Sequence, residues 1–215
     1  MATLHTAPWA GKPDTPEDAF LATLSEAARR DGRKLCRRLL DEIERLPPAR
    51  LPPRPMRKPL VAQLDSLLSA APADVRSLSG AVAAMRGRLR WQFAPDEPGF
   101  GTFRRRHCFC SLTGRDGIIP SERLYVGLFM IDGSVFYPHH SHSADEIYLP
   151  ISGDAVYAVG ANAPRTVPPG EFIQIPSWTT HAVWTGNRPI LMVWAWFGDI
   201  KGGYRIGGGN HVPKL

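Results

Sequence analysis

Long apolar runs are missing from this sequence: no stretch approaches the ~18 uninterrupted residues of a membrane span, which argues against a membrane-embedded chain. Cysteine is scarce as well. Cys36, Cys108 and Cys110 are an odd number without the spacing of a disulfide framework. The start, MATLHTAPWAGKPDTPEDAF, has no basic segment leading into an apolar one, so no secretory leader is expected. Together these absences point to a cytoplasmic chain with reduced thiols. Nucleic-acid motifs are absent too. The formal charge of +6 is concentrated in Arg29, Arg30, Arg33, Lys34, Arg37, Arg38 and Arg45, interleaved with acids on one predicted helix. That pattern reads as a solvated helix face rather than a nucleic-acid surface.

What is present is ordinary for a globular protein of 215 residues: 43% hydrophobic and 21% charged, with 21 prolines and 20 glycines favouring short elements joined by turns. The periodicity changes along the chain. From Thr15 to about Leu46 apolar residues recur every three or four positions, with Thr15 as N-cap and Pro16 at the first helical position. This predicts one long helix, ended by LPPARLPPRP. Further helices are expected over Leu60–Ser69 and about Ala73–Leu89. Beyond APDEPGFG the pattern becomes strand-like, and runs such as TFRRRHCFCSL, RLYVGLFMI, EIYLPIS and ILMVWAWF predict seven or eight short strands. The chain therefore divides into a helical region, 1–94, and a β domain, 95–215, of sandwich or small-barrel type.

Within the β region, YPHHSHSADEIYLP (Tyr137–Pro150) concentrates ionisable groups. His140 and His142 are two apart, so they share one face of an extended strand, as do Glu146 and Tyr148 in the next. His181 opens another strand after IPSWTT. Three imidazoles and one carboxylate suit a single divalent transition metal ion: Zn, Fe, Mn, Co or Ni. His139 is out of phase with its neighbours and is not expected to be a ligand. In RHCFC the two thiols share a face opposite His107, which favours a packed strand over a second metal site. GGYRIGGGNH lacks the strand-to-helix context of a phosphate loop and is expected to be a flexible tail.

These spacings resemble the cupin superfamily. His140, His142, Glu146 and Gly153 fall on its first motif, with Gly133 one residue further away than usual. Gly170, Pro176 and His181 fall on the second, which departs at Trp178, where glycine is usual, and at Thr185, where asparagine is usual. The finer pattern of Tyr137, His140, His142, Glu146 and Tyr148, with PSWTTHAVWTG and PILMVWAWFGD, is similar to the cupin-type dimethylsulfoniopropionate (DMSP) lyases. The resemblance implies a mainly β fold, a double-stranded β-helix or jelly-roll barrel, preceded by helices. It implies β-elimination of a small zwitterion to dimethyl sulfide and acrylate. His142, Glu146 and His181 would hold the metal, with His140 a fourth ligand or a close neighbour. Tyr148 is the favoured base, Tyr137 the second candidate and a substrate contact. The sulfonium calls for aromatic faces. Trp178 and Tyr137 are the candidates named for it, with Trp184, Trp194 or Trp196 as a third. For Trp194 and Trp196 the apolar strand around them suggests core packing instead. Other expectations from the same motifs are an Fe-dependent dioxygenase, which would consume oxygen, or a non-catalytic metabolite-binding cupin, which would show no turnover. A homodimer is one assembly open to such a chain.

Overall fold

A computed structural model describes residues 14–94 and 99–207. The helical region comprises α1 (Pro16–Asp31), α2 (Lys34–Glu44), α3 (Leu64–Ser69) and α4 (Arg76–Met85). Thr15 caps α1, its hydroxyl accepting the Asp18 N–H at 3.1 Å. The single helix expected from Thr15 to Leu46 is in fact two. Gly32 turns left-handed, with φ 64°, and its N–H closes on Ala28 O, which stops the helical ladder. Expected helices are also trimmed: Pro59–Gln63 and Ala73–Val75 are 3₁₀ turns, and the last helix ends at Met85.

Ten strands follow: β1 (His107–Thr113), β2 (Leu124–Ile131), β3 (Phe136–His142), β4 (Ala144–Ser152), β5 (Ala155–Val159), β6 (Arg165–Thr166), β7 (Ile173–Ile175), β8 (His181–Thr185), β9 (Ile190–Gly198) and β10 (Tyr204–Ile206). The first strand begins later than expected because Gly101–Arg105 is a 3₁₀ turn. The strands form two five-stranded antiparallel sheets, in the orders β1-β2-β9-β4-β7 and β10-β3-β8-β5-β6. This is the mainly β arrangement that the sequence resemblance implies, with helices ahead of it. Among the described residues the sheets do not join into a closed barrel.

Alternation along the strands explains how the first sheet serves two neighbours. On β4, Ile147, Leu149 and Ile151 join a core with the helices, while Glu146 and Tyr148 face the second sheet. On β9, Val193, Ala195 and Phe197 face the helices, and Trp194 and Trp196 face a cavity. Every residue of β4 is therefore buried. The helices and the outer face of this sheet share one continuous core that also takes in Cys36, Cys108 and Cys110, all free thiols. The division expected at 94/95 falls beside residues 95–98, outside the described ones.

Several arginines, Arg33 and Arg38 of the basic cluster among them, tie helices to other elements as well as facing solvent. Arg38 of α2 pairs with Asp145 of β4, and Arg33 donates to Phe172 O at 2.7 Å. Arg88 meets Glu17, which is fully buried, at 2.5 Å. None of the helices among the described residues is long and apolar enough to cross a membrane.

Candidate metal centre and its cavity

The two sheets bring His140, His142, Glu146 and His181 together. One ligand atom from each lies within 4.8 Å of all the others, and all four residues are buried. His140 and His142 come from β3, His181 from β8 and Glu146 from β4, so the cluster bridges both sheets. The motif glycines follow from close approaches at its flanks. A Cβ on Gly133 would sit 2.4 Å from Asn187 O, and one on Gly153 2.5 Å from Pro189 O. Thr185, in the place of the usual asparagine, donates its hydroxyl to Asp132 O at 2.7 Å and accepts the Val135 N–H at 2.8 Å, pinning the turn into β3.

Each imidazole is oriented by its own backbone. The Nδ1–H groups of His140, His142 and His181 donate to Pro138 O (2.7 Å), Ala144 O (3.0 Å) and Thr179 O (2.9 Å). That leaves the Nε2 atoms for the cluster interior. His142 Nε2 lies 2.9 Å from Glu146 Oε2; His181 Nε2 lies 3.0 Å from the same oxygen yet has no hydrogen-bond partner. His140 Nε2 is buried with no partner at all. Buried polar atoms are seldom left so. Two orphaned nitrogens converging on a carboxylate are what a cation would satisfy, and the donor set fits a divalent transition metal.

The electrostatics agree. Burial raises the Glu146 carboxyl, but the His142 and His181 imidazoles outweigh it and hold the group well below the usual carboxylate range. Burial lowers His142 while Glu146 more than offsets it, and the net direction is upward. His140 is pushed well below 6.5 by burial and then by His181, so it stays neutral.

Beside the cluster opens a cavity of about 440 Å³, walled by aromatic rings, within the ~300–1,000 Å³ range typical of small-molecule sites. Glu146, Tyr148, Tyr137, Tyr204, Trp194 and Trp196 are among its lining residues. Among the described residues its lining contains two carboxylates, Glu146 and Asp116, and no lysine or arginine. Tyr148 is 2% exposed; burial, then Glu146, raises its hydroxyl well above 10. Tyr137 is raised in the same way by burial, then by Tyr204, whose hydroxyl is 3.3 Å away. Tyr137 also belongs to a column of rings. It stacks on His140 at 4.2 Å and on Phe103 at 4.0 Å, and Phe103 stacks in turn on His107 at 4.0 Å. His107 is fixed by an Nδ1–H bond to Phe103 O (2.7 Å) and accepts the Ala94 N–H at 2.8 Å.

Placement of the other expected residues varies. His139 stays outside the cluster, its ring against Phe136 and Trp184. Trp178 lies off the cavity lining, 43% exposed, beneath Arg205. Its backbone is left-handed, φ 59°, a conformation costing a non-glycine residue about 1–3 kcal/mol. Trp194 and Trp196, expected as core, line the cavity because their register on β9 points that way. Tyr204 was hidden in the supposed tail. Residues 204–206 instead form β10 on the edge of the second sheet, pairing Tyr204 with His142 and Ile206 with His140; residues 208–215 lie outside the described ones. The polar-apolar alternation of YRI was its only signal, and three residues are too few to read.

The family model for DMSP lyases matches residues 31–192. The chain belongs to the DMSP lyase family. It is 31% identical over 153 residues to the DMSP lyase DddQ of Ruegeria pomeroyi, covering 70% of this chain and 75% of that one. To the putative DMSP lyase DddL of Cereibacter sphaeroides it is 31% identical over 145 residues, 66% of this chain and 60% of the relative's length. The crystal structure of the Ruegeria DddQ superposes with a TM-score of 0.70 at 24% identity, covering 87% of this chain and 95% of that one. A chain from the crystal structures of the DMSP lyases RdDddP and RnDddQII gives 0.68 at 23%, covering 89% and 100%. These superpositions show that the fold is common to this DMSP lyase family member and those structures.

Proposed function

We propose that this chain is a metal-dependent carbon–sulfur lyase that cleaves DMSP to dimethyl sulfide and acrylate. One observation carries the reading: in a member of this family, a four-residue ligand cluster adjoins an aromatic cavity lined by two tyrosines next to it in sequence, and the charged lining groups among the described residues are acids. Such a lining favours a ligand with a cationic end.

His142, Glu146 and His181, with His140 as fourth ligand, hold the ion. A divalent ion bound there supplies Lewis acidity toward the substrate carboxylate and favours the phenolate over the phenol. Tyr148, on the Glu146 face of β4, takes the proton from the carbon next to the carboxylate. The C–H electron pair becomes the carbon–carbon double bond, the C–S bond breaks, and neutral dimethyl sulfide leaves with the sulfur lone pair. Tyr137 holds the substrate and is steadied by its stack on His140 and its contact with Tyr204. The rings of Trp194 and Trp196 receive the sulfonium in place of Trp178, each such face contributing about 0.5–2 kcal/mol. The aromatic walls limit the water around the reacting atoms, which strengthens each of these interactions. The residues of 95–215 carry this chemistry and the helices brace the sheet behind it. Free, buried cysteines suit a reducing cytoplasm.

The test is a headspace assay for dimethyl sulfide with purified protein and a panel of divalent metals, run with and without oxygen. Release of dimethyl sulfide without oxygen is expected; silence with every metal rejects the lyase reading. Activity confined to the aerobic arm would point to an oxygenase.

A further inference from the structure

We propose that Trp178 is a positioning residue: its indole clamps β10 onto β3 and so holds Tyr204 in the cavity lining. Trp178 is a large aromatic residue left 43% exposed, in a left-handed conformation that suits glycine. Neither burial nor backbone preference accounts for it. Its surroundings do. The indole lies over Gly203 so closely that a Cβ there would come 2.9 Å from Cη2, and the Arg205 guanidinium sits 4.5 Å from the ring centroid. Gly203 and Arg205 flank Tyr204, so the ring grips the strand on both sides of the residue it delivers.

The strand needs such a grip. β10 has three residues at a sheet edge, a length marginal by itself. Beyond its ladder with β3, it is held by Ser143 N–H to Gly203 O (3.0 Å) and Gly207 N–H to His139 O (2.8 Å). The clamp is itself anchored to the ligand strand, because the Trp178 N–H donates to His142 O at 2.7 Å. Trp178 thus connects the backbone of an expected ligand to the strand carrying Tyr204, without touching the cavity. Its φ makes the ring removable: glycine fits the same backbone without strain, so Trp178→Gly tests the ring and not the fold.

The kinetic arm rests on the lyase reading; the exchange arm does not. Full-length wild type, Trp178→Gly, Trp178→Phe and Arg205→Ala are compared by hydrogen–deuterium exchange over 203–207, by metal content, and by KM and kcat for DMSP. For Trp178→Gly the expected result is exchange in 203–207 faster by about tenfold, KM raised more than kcat is lowered, and unchanged metal content. Arg205→Ala should give a smaller change in the same direction, and Trp178→Phe should restore part of the protection. Unchanged exchange in Trp178→Gly overturns the clamp. So does loss of metal without faster exchange, which would place the effect on His142 instead. If wild type releases no dimethyl sulfide, the lyase reading fails and the exchange data alone decide the clamp.

Discussion

His140 on β3 and His181 on β8 stand directly opposite each other across an antiparallel pair, ring centroids 3.9 Å apart. Two imidazolium ions so placed would repel, and burial already disfavours charge on His140. His140 is therefore placed to present a neutral nitrogen inward, as a metal ligand must. His181→Ala should strip or loosen the ion, with elemental analysis showing sub-stoichiometric metal after dialysis. Full occupancy would remove His181 from the ligand set.

Tyr148→Phe deletes one oxygen from a fully walled position. Turnover should fall by about 10²–10⁴-fold, the usual scale for loss of a general base, while metal content stays at the wild-type level. Near-normal activity in this variant would transfer the role to Tyr137, whose own Phe variant is the control.

For Trp194→Ala the expectation is a KM for DMSP raised by about 2–30-fold, the equivalent of one cation–π contact. A neutral isostere of the substrate should discriminate poorly between the two proteins as an inhibitor. Equal losses for charged and neutral ligands would make Trp194 a packing residue.

Asp145 faces away from its neighbour Glu146. It pairs with Arg38 of α2 and accepts the Ser177 N–H at 3.0 Å, in the loop that leads to His181. Asp145→Ala should cost about 1–3 kcal/mol of stability in denaturant titration, as for the loss of part-buried hydrogen bonds to a charged group. It should also weaken metal retention. Stability lost without any change in metal affinity would show that the loop holds His181 unaided.

Burial lowers His107 below 6.5. A base with a depressed folded-state value contributes stability that is complete above the unfolded value and lost as pH falls below it, because the unfolded chain then binds the proton more readily. The chain should therefore lose stability from about pH 6.5 downward, by about 1.4 kcal/mol per unit of depression. In His107→Phe that part of the acid sensitivity should disappear. Identical pH profiles for the two proteins would mean that His107 titrates normally.

Much of this was legible in the sequence, for local reasons. The alternation that puts His140 beside His142, and Glu146 beside Tyr148, is a property of extended chain, and the spacing to His181 survives in the structure. The helix break at Gly32 was not legible, since helical periodicity runs through it. Trp194 and Trp196 read as core because an apolar strand covered on both sides shows no polar face; only the packing of the helices tells which side is cavity. Trp178 was placed by its nearness in sequence to His181, yet a left-handed backbone turns it outward. Tyr204 lies in a strand whose partner is more than sixty residues earlier, beyond the reach of any local pattern.

The double-sided burial of β4 has a consequence for how this scaffold tolerates change. Ile147, Leu149 and Ile151 meet the helices in register with the very residues that face the ligands. A slip of one residue would turn Glu146 toward the leucines and an isoleucine toward the imidazoles, ruining adhesion and chemistry in a single stroke. Shedding the first ninety-odd residues would leave a greasy plane of Leu, Val and Ile bare to water, inviting clumping. The helical half is thus no detachable ornament: the strand that holds the carboxylate stays in place because something is glued to its back.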